Sequence, residues 1–462
     1  MKTALLIDND EVSRGLIGKL LRQDGWHLLQ SETGEKGVAL ATQYRPDLVI
    51  CDLSLPGFTG FQVCRTLREN RELANTRLVV TSVRDYPADR QGAMEAGAQA
   101  YLTKPIDSVL LTRIIEKVMR PDLGVAAAEH VPMTAPGQPT SIRFWGVRGS
   151  IPTPGPETVH YGGNTSCVEV RGEGELIILD AGSGIRPLGL SLLKEFQDKP
   201  MELTILITHT HWDHIQGFPF FVPAYQPRNS VHILGYEGAR HGLEETLSGQ
   251  MESPYFPIGF KQMPGNIAIR ELNDLNFMAG NVRVKAAYMH HPGICVGYRL
   301  FLHDGSITYI PDNEPYLRMK SYPTTRGDGS SAETLAYART QDEKLTEFIA
   351  GSDVLIMDSQ YDAQEYASHA GWGHSCLDDT VALAIQGGVK KLFLFHHDPG
   401  HDDKKIDALV VHARELAAKA GAKIQIEAAR EGVELRLSEP LPAGKTAKRG
   451  KKAEPSFSAE IS

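Results

Sequence analysis

The chain has 462 residues, 41% of them hydrophobic and 23% charged, with a formal net charge of −9 at pH 7. At about 150 residues per domain this is material for about three units, and the balance excludes collagen, a mucin-like stalk and wholesale disorder. The negative charge argues against non-specific nucleic-acid binding through bulk positive charge. The opening apolar stretch, residues 4–7, is too short for a signal-peptide core, and no run approaches the ~20 apolar residues of a membrane helix. Cys51, Cys64, Cys167, Cys295 and Cys376 are scattered, without a C-x-x-C. That usage fits a reducing cytosol, so a cytoplasmic protein is expected.

Residues 1–120 alternate strand and helix. TALLI (3–7), DLVICD (47–52), RLVVTS (77–82) and AQAYLTKP (98–105) read as buried strands. VSRGLIGKLLRQ (12–23), FQVCRTLREN (61–70) and SVLLTRIIEKVMR (108–120) have helical spacing, and residues 27–44 supply the remaining strand and helix. The pattern predicts an α/β fold, a doubly wound (βα)5 domain on a parallel sheet. Residues 121–140, rich in Pro, Ala and Gly, read as a semi-stiff linker. From Ser141 come short β-type runs: IRFWGVRG, SCVEVRG, ELIILDAG, LTILITH, VHILG, VRVKAAYMHH, GYRLFLHDG and SITYIPD. Helices are expected at about 185–197, 240–250, 341–350, 376–387 and 403–420, giving an αββα sandwich over 141–438. Residues 439–462 are poor in apolar side chains and are expected to be a disordered tail.

In the first domain, Asp8, Asn9 and Asp10 follow strand one, Asp52 ends strand three, and Thr81 and Lys104 end strands four and five. Ligands bind at such carboxyl ends. Carboxylates there hold Mg²⁺ through oxygen, and a lysine balances an added phosphoryl group. The motifs LLIDNDE, CDLSLPGFTG, VVTS and YLTKP resemble the receiver domains of two-component response regulators. The resemblance implies that Asp52 is the phosphoacceptor and that Asp8 helps to bind Mg²⁺. It gives Thr81 and Lys104 contacts to the phosphoryl group, makes Tyr101 the aromatic switch residue, and leaves the Lys104–Pro105 bond a candidate for cis. A sensor histidine kinase or phosphotransfer protein is the implied partner. Asn9 departs from the family, which usually carries an acidic residue there. Weaker Mg²⁺ binding is expected, with Asp10 in partial compensation.

Eight of the 17 His lie in three stretches, 209–214, 290–291 and 396–401. THTHWDH (208–214) follows the strand LTILI and spells H-x-H-x-D-H. In extended chain His209, His211 and Asp213 point to one side, while His214 needs a turn to converge, so one loop can feed two metals. Imidazole with carboxylate suits Zn²⁺, and also Mn²⁺ or Fe. Further ligands are expected at strand ends, from His290 or His291, Asp312, and His396 or His397. Seven groups, five His and two Asp, complete a dinuclear site, and metals ~3.5–4 Å apart can share a hydroxide.

FWGVRGSIPTPG, YGGNTSCVEV, ILDAGSGI, THTHWDHIQGFPFF, HHPGICVGYR, YIPDNE, GWGHS and LFHHDPGHDD resemble the metallo-β-lactamase fold hydrolases over about 141–436. The likeness is to the phosphodiesterase branch: tRNA 3′-processing endonucleases, PhnP-like phosphodiesterases and cyclic-nucleotide phosphodiesterases. It implies His209, His211 and His291 on one metal, Asp213, His214 and His396 on the other, and Asp312 between them. Asp213 would orient the nucleophile, and His374, in GWGHS, would contact phosphate and protonate the leaving oxygen. His211 separates the chain from flavodiiron oxygen reductases, which carry Glu there, and Asp312 from lactamases, which lack the bridging Asp. Thioesterases of the glyoxalase II kind share both features; His374 tips the reading to phosphodiesters.

The expected function is a response regulator with a dinuclear hydrolase output acting on a small phosphodiester such as a cyclic nucleotide. A thioester or lactone hydrolase and a non-enzymatic signalling module are the alternatives. No membrane partner is expected, extended nucleic acid is not favoured, and a homodimer is open. Arg148 is read equally as a phosphate contact or a structural group. Phe218, Phe220, Phe221, Tyr225, Tyr255 and Phe256 are read as core or lid packing more readily than as base-stacking surfaces. Asp358 is expected to support the site from behind.

Overall fold

The computed structural model describes residues 2–84, 87–106, 108–119, 133–134, 138–236, 242–272, 274–318 and 331–437. The expected tail, and the expected linker apart from residues 133–134 and 138–140, lie outside these. The first sheet holds β1 (Thr3–Ile7), β2 (His27–Ser31), β3 (Leu48–Asp52), β4 (Arg77–Ser82) and β5 (Ala100–Thr103), parallel throughout in the order β2-β1-β3-β4-β5. Side chains alternate across it. Leu5, Ile7, Val49 and Val80 join one core, and Ala4, Leu6, Ile50 and Val79 join the other. Both faces are therefore covered, as the unbroken apolar runs require.

The second unit has two seven-stranded sheets. One contains β6 (Ser141–Gly146), β7 (Cys167–Gly172), β8 (Glu175–Leu179), β9 (Glu202–Ile207), β10 (Ser230–Gly235) and β11 (Asn266–Glu271). The other contains β12 (Asn276–Ala279), β13 (Val282–Tyr288), β14 (Val296–Leu302), β15 (Gly305–Ile310), β16 (Val354–Asp358), β17 (Lys391–Phe395) and β18 (Gln425–Ala428). The last strand, β19 (Glu434–Arg436), returns to the first sheet beside β6. The orders are β11-β10-β9-β8-β7-β6-β19 and β12 through β18 in sequence.

One core lies between the sheets, with Phe144, Val168, Tyr298, Tyr309, Phe393 and Phe395. A second lies under the helix Ile185–Phe196, and a third under the helices Leu377–Gln386 and Asp403–Lys419. This is the αββα layering. Each buried Leu, Ile or Phe contributes about 1.5–3 kcal/mol of transfer free energy. Two tyrosines tie the layers: Tyr298 Oη donates to Ile207 O at 2.6 Å, and Tyr309 Oη to Asp180 Oδ2 at 2.9 Å. Met94, on the helix Pro87–Glu95 of the first unit, packs against both that unit's core and the core between the two sheets. Among the described residues no helix is long and apolar enough to cross a membrane.

Candidate metal centre and phosphoacceptor site

Ligand-bearing residues gather at one edge of the sandwich because each follows the end of a strand. After β9 the chain turns into the short helix Trp212–Ile215, with His211 as its N-cap. That turn swings Asp213 and His214 inward while Trp212 stays exposed. His291 follows β13, Asp312 follows β15 and His396 follows β17.

The geometry centres on Asp312, 2% exposed. Its Oδ2 lies 3.6 Å from His209 Nε2 and 3.5 Å from His291 Nε2; its Oδ1 lies 3.2 Å from His214 Nε2 and 3.3 Å from His396 Nε2. His211 Nδ1 faces His291 Nε2 at 2.9 Å. On the other side Asp213 Oδ2 stands 3.2 Å from His214 Nε2 and 3.1 Å from His396 Nε2. Ligand atoms of His209, His211, His291 and Asp312 all lie within 4.8 Å of one another, as do those of Asp213, His214 and His396. One carboxylate thus presents one oxygen to each trio. Of the paired histidines, His290 instead gives its Nδ1 proton to Glu314 O (2.7 Å) and stacks on Tyr316, and His397 bonds Ala429 O (3.0 Å).

Electrostatics and hydrogen bonding fit divalent cations. His209 Nε2, His214 Nε2 and Asp312 Oδ1 are buried without a hydrogen-bond partner among the described residues. Such orphans cost about 1–3 kcal/mol each unless something binds them. Burial holds His209 and His291 neutral, the latter down to about 3, the state that ligates metal. Burial also disfavours charge on His214, but Asp213, Asp312 and Asp180 outweigh it and raise its pKa. Burial works against an ionised Asp312, yet the surrounding imidazoles, His396 first, hold its pKa well down. Two carboxylates set among imidazole nitrogens are a cation site in their donor chemistry.

A layer of partners fixes the rings. His214 Nδ1 donates to Asp180 Oδ2 (2.8 Å), His396 Nδ1 to Gln360 Oε1 (3.0 Å) and His291 Nδ1 to Gly373 O (2.8 Å). Each leaves Nε2 facing the centre. Ser150 N donates to Asp213 Oδ2 (2.8 Å), and Gly149 lies so close that a Cβ would sit 2.4 Å from the His396 ring. These contacts explain two residues of the FWGVRGS motif. Asp180 and Gln360 were not singled out in the sequence. Asp180 ends a buried run inside ILDAGSGI, the one signal that marks it. Asp358, expected behind the site, accepts from His374 Nδ1 (3.0 Å), Asn313 N (3.1 Å) and Ser375 N (3.2 Å).

His374 lies over the cluster, its Nδ1 3.9 Å from Asp312 and its ring stacked on His396 at 4.9 Å. Burial opposes its charge, but Asp358 overcomes this and pushes its pKa up to about 9. Arg148 is fully buried and donates to the carbonyls of Gly162, Asp398 and His401. These bonds and its burial favour the structural reading of Arg148 over the phosphate contact. Phe218 and Phe221 are core; Phe220 and Tyr255 are exposed.

In the first unit, Asp8, Asp52 and Thr81 are buried at neighbouring strand ends. Lys104 Nζ reaches Asp8 Oδ2 at 2.8 Å and also pairs with Asp52. Burial raises the Asp8 pKa although Lys104 opposes it. Thr81 Oγ1 is buried with no partner among the described residues. Asn9 is exposed. Asp10 accepts from Ser13 N (3.1 Å) and Ser13 Oγ (2.7 Å), so its carboxylate caps the helix Glu11–Gln23. Tyr101 is buried, donates to Arg84 O (2.8 Å) and lies against the Arg90 guanidinium. Lys104–Pro105 is cis.

The family model of the response regulator receiver domain matches residues 4–116, and that of the metallo-β-lactamase superfamily matches residues 160–309. The chain is 33% identical over 119 residues to Protein PilH of Pseudomonas aeruginosa, spanning 26% of this chain and 98% of that one. It covers about half of two longer matched regulators, 54% of RpaA of Synechocystis and 52% of AfsQ1 of Streptomyces coelicolor. The metallo-β-lactamase fold protein YhfI of Bacillus subtilis is similar at 15% identity and TM-score 0.43, covering 64% of this chain and 99% of that one. The short form of human tRNase Z is similar at 18% identity and TM-score 0.42, covering 65% and 100%. The chain belongs to the response regulators, its receiver domain joined to a metallo-β-lactamase superfamily domain.

Proposed function

We propose that the C-terminal domain, residues 141–438, is a dinuclear hydrolase of small phosphodiesters, with cyclic nucleotides the preferred class, controlled by phosphorylation of Asp52 in residues 1–120. The observation that carries the reading is Asp312, with one oxygen toward each of two ligand trios and His374 above them. His209, His211 and His291 would hold one cation, and Asp213, His214 and His396 the other, with Asp312 shared. Two divalent ions, Zn²⁺ being the first choice, supply a water of lowered pKa and neutralise phosphoryl oxygens. Asp213, aligned by Ser150 N–H, orients the attacking water. His374, kept charged by Asp358, donates its proton to the leaving alkoxide.

For control, Lys104 would pair with phosphoryl oxygens on Asp52, Thr81 would donate its unpartnered hydroxyl to them, and Asp8 would hold Mg²⁺ with Asn9. Support for coupling comes from Met94, packed on both units, and from the helix Pro87–Glu95 lying against β13, the strand that leads to His291. A change in that helix would shift the population of an active arrangement. The kinase, the cytoplasmic setting and a homodimer belong to the same reading.

The test is steady-state turnover of a chromogenic phosphodiester beside a chromogenic thioester by the metal-loaded chain, with Asp213→Ala/His214→Ala as blank. Phosphodiester turnover alone supports the proposal. Thioester turnover alone overturns the substrate class, and turnover of neither with two metals bound overturns the hydrolase reading.

A further inference from the structure

The loop Gly371–His374 supplies both the candidate acid and the carbonyl that orients His291, yet it is short, glycine-rich and carries an exposed Trp372. Such a segment does not hold a fixed shape by packing alone. Its anchor is Glu314, two residues after Asp312 and 1% exposed. Glu314 Oε1 accepts from Gly371 N at 2.8 Å and from the Tyr366 hydroxyl, and Oε2 accepts from Gly373 N at 2.9 Å. Both glycines have φ near +90°, the left-handed region that glycine enters without strain. At Gly373 a Cβ would fall 2.5 Å from His291 Nδ1. The backbone at Glu314 is itself tied to the His290–His291 turn, through Glu314 N to His290 O (2.8 Å) and His290 Nδ1 to Glu314 O (2.7 Å).

We propose that Glu314 is a positioning residue that sets His291 and His374 together from the segment carrying Asp312. All three of its partners donate, so an ionised carboxylate satisfies them without competition, and charge-assisted bonds of this kind are strong. The consequence is directional. Through Gly373 O, Glu314 acts on the trio His209, His211, His291. It has no contact with Asp213, His214 or His396 among the described hydrogen bonds; Ser150 N–H, Asp180 and Gln360 secure those three in turn. This role rests on the dinuclear reading above, but its first readout needs no substrate.

The experiment measures stepwise Zn²⁺ affinity of the full chain by competition with a chromophoric chelator, then kcat and KM on the chromogenic phosphodiester. Glu314→Ala is expected to weaken one of the two Zn²⁺ steps by about 10–100-fold and leave the other within about threefold. It should lower kcat by a similar factor with little change in KM. Glu314→Gln, which keeps the shape but turns an N–H₂ toward one donor, is expected to fall between Ala and wild type. Tyr366→Phe, which leaves both backbone bonds, should stay within about threefold of wild type. His374→Ala should lose turnover with both Zn²⁺ steps intact. If Glu314→Ala does not fold, Glu314→Gln gives the same reading. Two unchanged Zn²⁺ steps in the Glu314 variants overturn the positioning role while leaving the dinuclear reading standing. Equal weakening of both steps overturns the directional claim. A wild-type chain that binds no Zn²⁺ overturns the dinuclear reading itself.

Discussion

Asp180→Asn is the sharpest probe of how the centre is built. The carboxylate is fully buried and receives Thr208 N (2.8 Å), Thr208 Oγ1 (2.9 Å), His214 Nδ1 (2.8 Å) and Tyr309 Oη (2.9 Å). An asparagine that keeps its oxygen at the Oδ2 position retains His214 and Tyr309 but turns an amide against Thr208 N–H. One orphaned backbone donor costs about 1–3 kcal/mol. Loss of the charge also lowers the basicity of His214, so affinity at the Asp213, His214, His396 trio should fall about 10–100-fold. Asp180→Ala orphans Thr208 N–H, His214 Nδ1–H and Tyr309 O–H together, on the order of 3–9 kcal/mol. A domain stability of about 5–15 kcal/mol barely survives that. Denaturant midpoints of the metal-free variants and Zn²⁺ competition on Asp180→Asn test both steps. Wild-type Zn²⁺ affinity in Asp180→Asn would refute the claim that this carboxylate governs His214.

Gly149→Ala should cost about 1–3 kcal/mol through overpacking on His396 and weaken the same trio, read by melting and Zn²⁺ competition. Zn²⁺ at 100 times its Kd should stabilise the C-terminal domain by about 2.7 kcal/mol. At roughly 2–4 °C per kcal/mol, chelation should lower its Tm by several degrees; an unchanged Tm would count against a resident cation. Asp52→Ala should abolish labelling by a small phosphodonor. If the units are coupled, it should also abolish any phosphodonor effect on turnover, whereas a donor effect that persists in Asp52→Ala would break the link.

Much of this was legible in the chain because strong local signals agree with the fold. The apolar runs ending in Asp52, Thr81 and Asp312 are strands, and the carboxyl ends of strands are where ligands gather. Other features were illegible for physical reasons. Residues 266–271 and 276–279 form edge strands β11 and β12, whose side chains alternate between exposed and half-buried with only Ala279 fully buried, so no apolar core face marks them. The helix expected at about 341–350 spans Ser331–Ile349, and its first half leaves the apolar Leu335 and Tyr337 exposed instead of turning a core-facing stripe inward. Ala363–His369 is too short for a helical period to show, although Asp362 and Glu365 form a capping box at its start. Asp180 and Glu314 lie in plain view as single acidic residues. A lone carboxylate does not name its partners, and those of Glu314 come from 52 to 59 residues away.

The ligands are divided between the two layers, His209, His211, Asp213 and His214 with one sheet, and His291, Asp312 and His396 with the other. Each trio draws ligands from both layers, so the distances between donor atoms within a trio are inherited from the thickness of the sandwich. Tyr298 and Tyr309 act as gauge pins, since each is buried in that interior and each bonds across it near the centre. A single residue of slip between sheets is about 3.3 Å, nearly the full separation of a metal pair. Interior repacking that leaves every ligand in place would thus retune which cations the two trios could accept, making selectivity a property of the hydrophobic interior as much as of the histidines.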